Sequence, residues 1–243
     1  MRKSMIRAAM VLALASSAVL AAKVAAPNYA AAIASPDRPA ADTVRDADRK
    51  PAALMTFGKI KPGTVMVELA PGGGYYTRLL SLAVGPKGHV YTFANRSSAA
   101  VVEWAKTHPN VTEGVMQPGT SLAPVPVDVV WTTLNYHDFK NAKQGDRDLA
   151  AVINEAAFKA LKPGGLYLIN DHQTAKGIGT TQTATLHRIE DVAVIREVEA
   201  AGFKLAGRSS ILAHPGDDHT LKVVESGIRG KTDQFVLRFR KSR

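Results

Sequence analysis

Residues 64–77 read TVMVELAPGGGYYT, and the fold turns on this stretch. A short apolar, β-prone run (64–69) carries Glu68 near its end, three glycines follow at Gly72, Gly73 and Gly74, and residues 76–84 have the apolar spacing of a helix that stops at Gly85-Pro86. Strand, glycine turn and helix in that order predict the first unit of a parallel α/β sheet. In such sheets a ligand sits beyond the carboxyl ends of the strands, where the winding direction reverses. Glycines let the backbone approach that ligand closely. Glu68 places a carboxylate there, which suits a cationic ligand and opposes a pyrophosphate. Gly72, Gly74 and Thr77 also approximate the spacing of a dinucleotide-binding loop, so that alternative stands beside it, as does a plain glycine-rich turn. The acid that dinucleotide binding wants about twenty residues further on is missing, because the second strand ends Phe93-Ala94-Asn95.

Outward from this stretch the pattern repeats. Further strands are expected over residues 88–93, 111–116, 127–134, 166–170, 203–212 and 234–240, with helices over 97–107, 148–161 and 185–201. Lys162-Pro163-Gly164-Gly165 stops one helix and turns into the fifth strand. The expected fold is a single α/β domain over residues 42–243, a seven-stranded, largely parallel, Rossmann-like sheet with helices on both faces.

Residues 42–57 read as a charged helix interrupted or restarted at Pro51. Residues 27–41, rich in Ala and Pro, read as a flexible lead-in. Before them, Arg2, Lys3 and Arg7 precede an acid-free apolar run over residues 8–22, with small residues at Ala25-Ala26. That is the layout of a secretory signal peptide over residues 1–26, and the run is shorter than the roughly twenty residues a membrane span needs. The chain is therefore expected to be exported, periplasmic or secreted, with no stable membrane span once the leader is removed.

The formal charge is +10, and the four basic residues Arg2, Lys3, Arg7 and Lys23 lie in the leader, leaving +6. Much of the remainder sits at the C-terminus without interleaved aromatics, so a nucleic-acid partner is not expected. There is no cysteine. Disulfides and thiolate metal sites are excluded; any metal would need His, Asp or Glu, and none is expected.

Residues 59–241 resemble the class I S-adenosylmethionine-dependent methyltransferases. Residues 67–74 are similar to that family's first motif, with Glu68 at its acid, Ala70 at its usual first glycine, and Gly72 and Gly74 at the others; Lys162-Pro163-Gly164-Gly165 is similar to its later turn. A group of exported predicted methyltransferases shares the Arg49-Lys50-Pro51, Gly72-Gly73-Gly74-Tyr75-Tyr76-Thr77 and Asn135-Tyr136-His137-Asp138 features. The resemblance implies S-adenosyl-L-methionine as cofactor, held by Glu68, Ala70, Gly72, Gly74, Tyr75, Asn95, Gln117 and Asn135. Two of these depart from the family: Asn95 stands where an acid usually binds the ribose hydroxyls, and Gln117 where an acid lies near the adenine amino group.

Methyl transfer mainly requires alignment and exclusion of water, with a base as an optional addition. Asn135-Tyr136-His137-Asp138 follows the fourth strand and Asp171-His172 ends the fifth, both on the ligand side of the sheet. Tyr136, His137 and His172 are the candidate catalytic residues, facing a small-molecule substrate or an exposed side chain. A non-catalytic binding protein that keeps the fold is the alternative, motivated by the replaced acids and by export. His214, Asp217, Asp218 and His219 form a second polar cluster, for which a flexible loop is the simpler account.

Overall fold

The computed structural model describes residues 27, 29–117, 120–225 and 227–242; the expected leader lies outside them. Strands β1 (Val65–Leu69), β2 (His89–Ala94), β3 (Val111–Val115) and β4 (Val127–Thr133) are parallel neighbours. A small hairpin, β5 (Lys143–Gln144) and β6 (Arg147–Asp148), stands apart from the main sheet. Strand β7 (Leu161–His172) pairs parallel with β4, while β9 (Gln234–Lys241) runs antiparallel between β7 and β8 (Phe203–Ser209). The seven-stranded order is β3-β2-β1-β4-β7-β9-β8. Because β2 and β4 flank β1 on opposite sides, a crevice opens beyond the carboxyl ends of these three strands.

Alternate residues of each strand go to opposite faces. Val67, Leu69, Val130, Tyr167 and Ile169 pack with α8 (Leu149–Ala160) and α9 (Asp191–Ala200). On the other face Met66, Val129, Trp131 and Leu168 pack with α4 (Pro51–Phe57), α5 (Tyr75–Val84) and α6 (Ala99–Ala105). Burial on both faces explains why these strands read as unbroken apolar runs. No helix among the described residues is long and apolar enough to cross a membrane.

Five segments differ from the sequence pattern. Residues 29–41, expected within a flexible lead-in, are ordered: α1 (Tyr29–Ile33) docks, with Tyr29 donating to Met55 O at 3.2 Å, and the buried Arg38 makes paired bonds to Asp46 at 2.8 and 2.7 Å. Residues 42–57 break into α2 (Ala40–Thr43), α3 (Asp46–Arg49) and α4, because Lys50 adopts a left-handed conformation (φ 43°) just before Pro51. Strand β7 begins at Leu161, which pairs with Val127; Lys162-Pro163-Gly164-Gly165 bulges out before Leu166 resumes the ladder opposite Val129. Residues 185–190 are not helical. Ile189 N bonds His172 O at 3.0 Å, Arg188 pairs with Asp217, and the Glu190 carboxylate accepts from Gly177 and Gly179, which holds this segment along the end of β7 and delays α9 to Asp191. The expected strand over 203–212 ends at Ser209.

Candidate active site

The chain leaves β1 through a run of left-handed residues: Ala70 (φ 51°), Gly72 (φ 55°) and Gly74 (φ 77°). Ala70 takes this conformation without the freedom of glycine, and is held by its N–H on Phe93 O at 2.9 Å and by the Asn135 amide donating to its carbonyl at 3.1 Å. A side chain at Gly72 would meet only open space, whereas one at Gly74 would approach the Arg78 guanidinium at 3.0 Å. Gly72 is thus free to face a ligand, and Gly74 caps α5 under the side chain that ties the loop down.

Three neighbouring cavities lie along the carboxyl ends of the strands. The largest, about 610 Å³, is lined by Ala70, Gly72, Asn95, Met116, Asn135 and Asp138. Sharing Ala70, Gly72 and Asn135, a second of about 210 Å³ reaches inward to Glu68, Tyr75, Arg45 and Arg49. A third, about 390 Å³, shares Arg49 and Tyr76 with the second and reaches His172. Of the residues expected around a cofactor, Glu68, Ala70, Gly72, Tyr75, Asn95 and Asn135 line these adjoining cavities, while Gln117 is exposed and lines none of the three.

Glu68 is 3% exposed and accepts from Thr77 Oγ1 at 2.5 Å. Burial pushes its carboxyl up to about 7, against the opposing pull of Thr77, Arg78 and Arg49. Across the same cavity Arg49 lies over the rings of Tyr75 (4.6 Å) and Tyr76 (5.9 Å), in no ion pair among the described residues, and burial lowers its pKa. The N-terminal helices are latched over the loop. Asp42 binds Arg78 at 2.6 Å, Arg78 in turn donates to Gly73 O at 2.8 Å, and Tyr75 donates to Asp46 at 2.6 Å.

The candidate catalytic residues part company here. Tyr136 lies in α7 (Tyr136–Phe139) with no exposed surface; its hydroxyl donates to Glu197 at 3.0 Å and accepts from Asn154 at 2.8 Å, so it fills the core under α8 and α9 and does not face the cleft. His137 is 3% exposed and clamped by Asp171, through its backbone N–H and through Nδ1, both at 2.7 Å. Burial lowers its pKa, but Asp171 outweighs burial and the net shift is upward. His172 lines the third cavity with Nδ1 2.7 Å from Thr232 Oγ1, and burial brings it down to about 4. At neutral pH it is an uncharged hydrogen-bonding group, far from the optimum for a general base. The cluster at 214–219 is an ordered clamp: Asp217 binds the buried Arg188 at 2.8 and 3.0 Å and accepts from Asp233 N, and His219 Nε2 lies 3.1 Å from Asp233.

Comparison with known proteins then fixes the architecture. A methyltransferase from Aquifex aeolicus, described as S-adenosylmethionine-dependent, superposes with a TM-score of 0.55 at 16% identity, over 81% of this chain and 97% of that one. Aeropyrum pernix fibrillarin, solved with natively bound S-adenosyl-L-methionine, gives 0.53 at 14% identity over 80% and 76%. The [4+2]-cyclase SpnF gives 0.57 at 14% identity, over 81% of both chains. The chain has the Rossmann-like methyltransferase fold. No protein-family model matches it, and no curated protein does.

Arg45 was not singled out from the sequence, and Arg49 only as part of a shared feature. Their charge in a polar helix is commonplace, and nothing in their spacing connects them with Glu68, nineteen or more residues on. His187, likewise unassigned, comes within 3.2 Å of His137 Nε2.

Proposed function

We propose that the chain binds S-adenosylmethionine in the adjoining cavities and transfers its methyl group to a small molecule held in the cavity beside His172. One observation carries this: a buried carboxyl group, Glu68, and a guanidinium, Arg49, in no ion pair among the described residues, border one small cavity that adjoins a larger one. A carboxylate and a cation side by side complement the ammonium and carboxylate of an amino acid, and the adjoining 610 Å³ has room for a bulky substituent. Bound there, the cofactor supplies a methyl group activated on a sulfonium.

The chain's own residues bind and orient. Glu68 would hold the ammonium, Arg49 and Arg45 the carboxylate, and Gly72 lets the backbone come close. Asn95 lies at the ribose end, and Asn135 fixes the loop by bonding both Ala70 O and Thr133 O. Neutral His172 would orient the acceptor through a hydrogen bond, leaving alignment and exclusion of water as the main sources of rate. Calorimetry with S-adenosylmethionine and with its demethylated product tests this. Saturable binding that Glu68→Gln weakens at least tenfold is the expected result; no binding at millimolar ligand overturns it.

A second possibility, a binding protein without turnover, is favoured by Asn95 and Gln117 standing in place of acids. Binding of the cofactor without methyl transfer to any acceptor tried would select it. We also propose that residues 1–26 are removed on export. Intact-mass measurement of natively produced protein should then lack them, and a mass retaining Met1 overturns that proposal.

A further inference from the structure

At the rim of the cleft three side chains from two elements converge on a point. His137 Nε2 and His187 Nδ1 are 3.2 Å apart, His187 Nδ1 and Asp138 Oδ1 3.3 Å, and His137 Nε2 and Asp138 Oδ1 3.4 Å. A tetrahedral ion with bonds of 2.0–2.1 Å separates its ligands by about 3.3 Å, the spacing found on all three edges. An octahedral face with similar bonds would bring them to about 3.0 Å, closer than any edge here.

Hydrogen bonding leads to the same point. The fully buried Asp171 accepts from the His137 backbone N–H, from His172 N–H and from Nδ1 of the His137 ring. A proton held on Nδ1 leaves Nε2 of a neutral His137 as a lone pair, 3.2 Å from His187 Nδ1 and 3.4 Å from the carboxylate of Asp138. A neutral His187 has one proton at most to place on Nδ1, which can serve Asp138 or His137 but leaves the other facing an acceptor. A metal cation at the centre would satisfy all three, and an extra proton on an imidazole is the competing solution that the test below distinguishes. A carboxylate behind an imidazole is also the arrangement that orients metal-binding histidines. His187 is held at φ 56°, a left-handed conformation that a bulky residue keeps only where its surroundings enforce it.

We propose that His137, Asp138 and His187 form a site for a divalent metal of the zinc type, with Asp171 as the residue that orients His137. Two imidazoles and one carboxylate suit zinc better than magnesium or calcium, which prefer oxygen alone. The His137 side chain is 4% exposed, but those of His187 and Asp138 are 30% and 49% exposed, so the fourth position opens to solvent. Asp138 also lines the 610 Å³ cleft, which puts that open position beside the ligand cavity. Asn135-Tyr136-His137-Asp138 thereby gains a role distinct from acid–base work. The site does not depend on methyl transfer.

The test uses the full chain, stripped with chelator, dialysed and titrated with zinc chloride in a calorimeter at pH 8. One equivalent of zinc should bind, and cobalt(II) should show the visible bands of a tetrahedral site. His187→Ala and Asp138→Asn, both at the surface and checked for folding by circular dichroism, should each weaken zinc by at least tenfold. Asp171→Asn, where folded, should weaken it by roughly 10- to 100-fold. Absence of saturable zinc binding at pH 8 would show that the triangle holds only a shared proton and overturns the proposal. Binding undiminished in His187→Ala overturns it equally. Loss of S-adenosylmethionine binding with zinc binding intact leaves the metal site standing and removes only the proposed reaction.

Discussion

Glu68 is a carboxylate that the fold holds at a cost. Its folded-state pKa of about 7 lies above the ordinary 4.5, so below pH 4.5 it is protonated in both states and adds nothing. Between pH 4.5 and 7 the folded state binds more protons than the unfolded one, and stability falls as pH rises; above 7 the full penalty of a buried charge is present. Glu68→Gln should therefore raise stability at pH 8 by roughly 1–3 kcal/mol, with the gain vanishing near pH 4.5, as read by chemical denaturation across that range. The same ionisation would serve a cationic ligand, so affinity for S-adenosylmethionine should be roughly tenfold weaker at pH 6 than at pH 8. Asn95, on the cleft wall, has one acceptor oxygen where a carboxylate has two. Asn95→Asp should tighten S-adenosylmethionine by about 1 kcal/mol, measured calorimetrically, if the ribose lies against it. Unchanged affinity in a folded variant would move the ribose elsewhere. Of the residues assigned from the sequence, those of the glycine loop were legible because a strand, a turn and a helix in succession dictate where a loop must lie. Tyr136 was not, because one residue's rotation about a four-residue helix decides whether a side chain meets the cleft or the core.

The N-terminal helices form a clasp on the glycine loop. Asp42 and Arg78 are both buried and paired, and Arg78 continues to the carbonyl of Gly73, so stability and loop geometry share one chain of bonds. Asp42→Ala leaves Arg78 buried without its partner and should cost about 3–5 kcal/mol by urea denaturation. Partial compensation by solvent would reduce the loss, but an unchanged midpoint would mean that α2 does not hold the loop. The segment 185–190 shows the same principle at another end of the sheet. Its sequence carries helical spacing, yet the charge pair of Arg188 with Asp217 and the bond of Ile189 to His172 turn it into a strap along β7. Neither partner is near in sequence, so local propensity could not foresee the outcome.

Across the whole molecule the clasp and the sheet share one core. Leu54 and Met55 of α4 pack in the same apolar cluster as Met66, Tyr75 and Trp131, with Tyr29 and Ile33 against it. Heating or urea should accordingly give a single cooperative transition, seen alike by far-ultraviolet circular dichroism and by fluorescence of Trp131 and Trp104. An early loss of helix signal before the fluorescence changes would mean that residues 29–57 fold apart from the sheet. The sequence by itself determined the layered α/β architecture, the crevice beyond the strand ends and the place of the glycine loop. Apolar runs of strand and helix period, with glycines at the turns, leave few ways to bury both faces of a sheet. Only the tertiary structure decided that Arg49 faces Glu68, that Tyr136 is core, and that His187 meets His137 and Asp138. Those relations join residues as many as 61 positions apart, and distances of that kind are set by how elements pack, which no local pattern encodes.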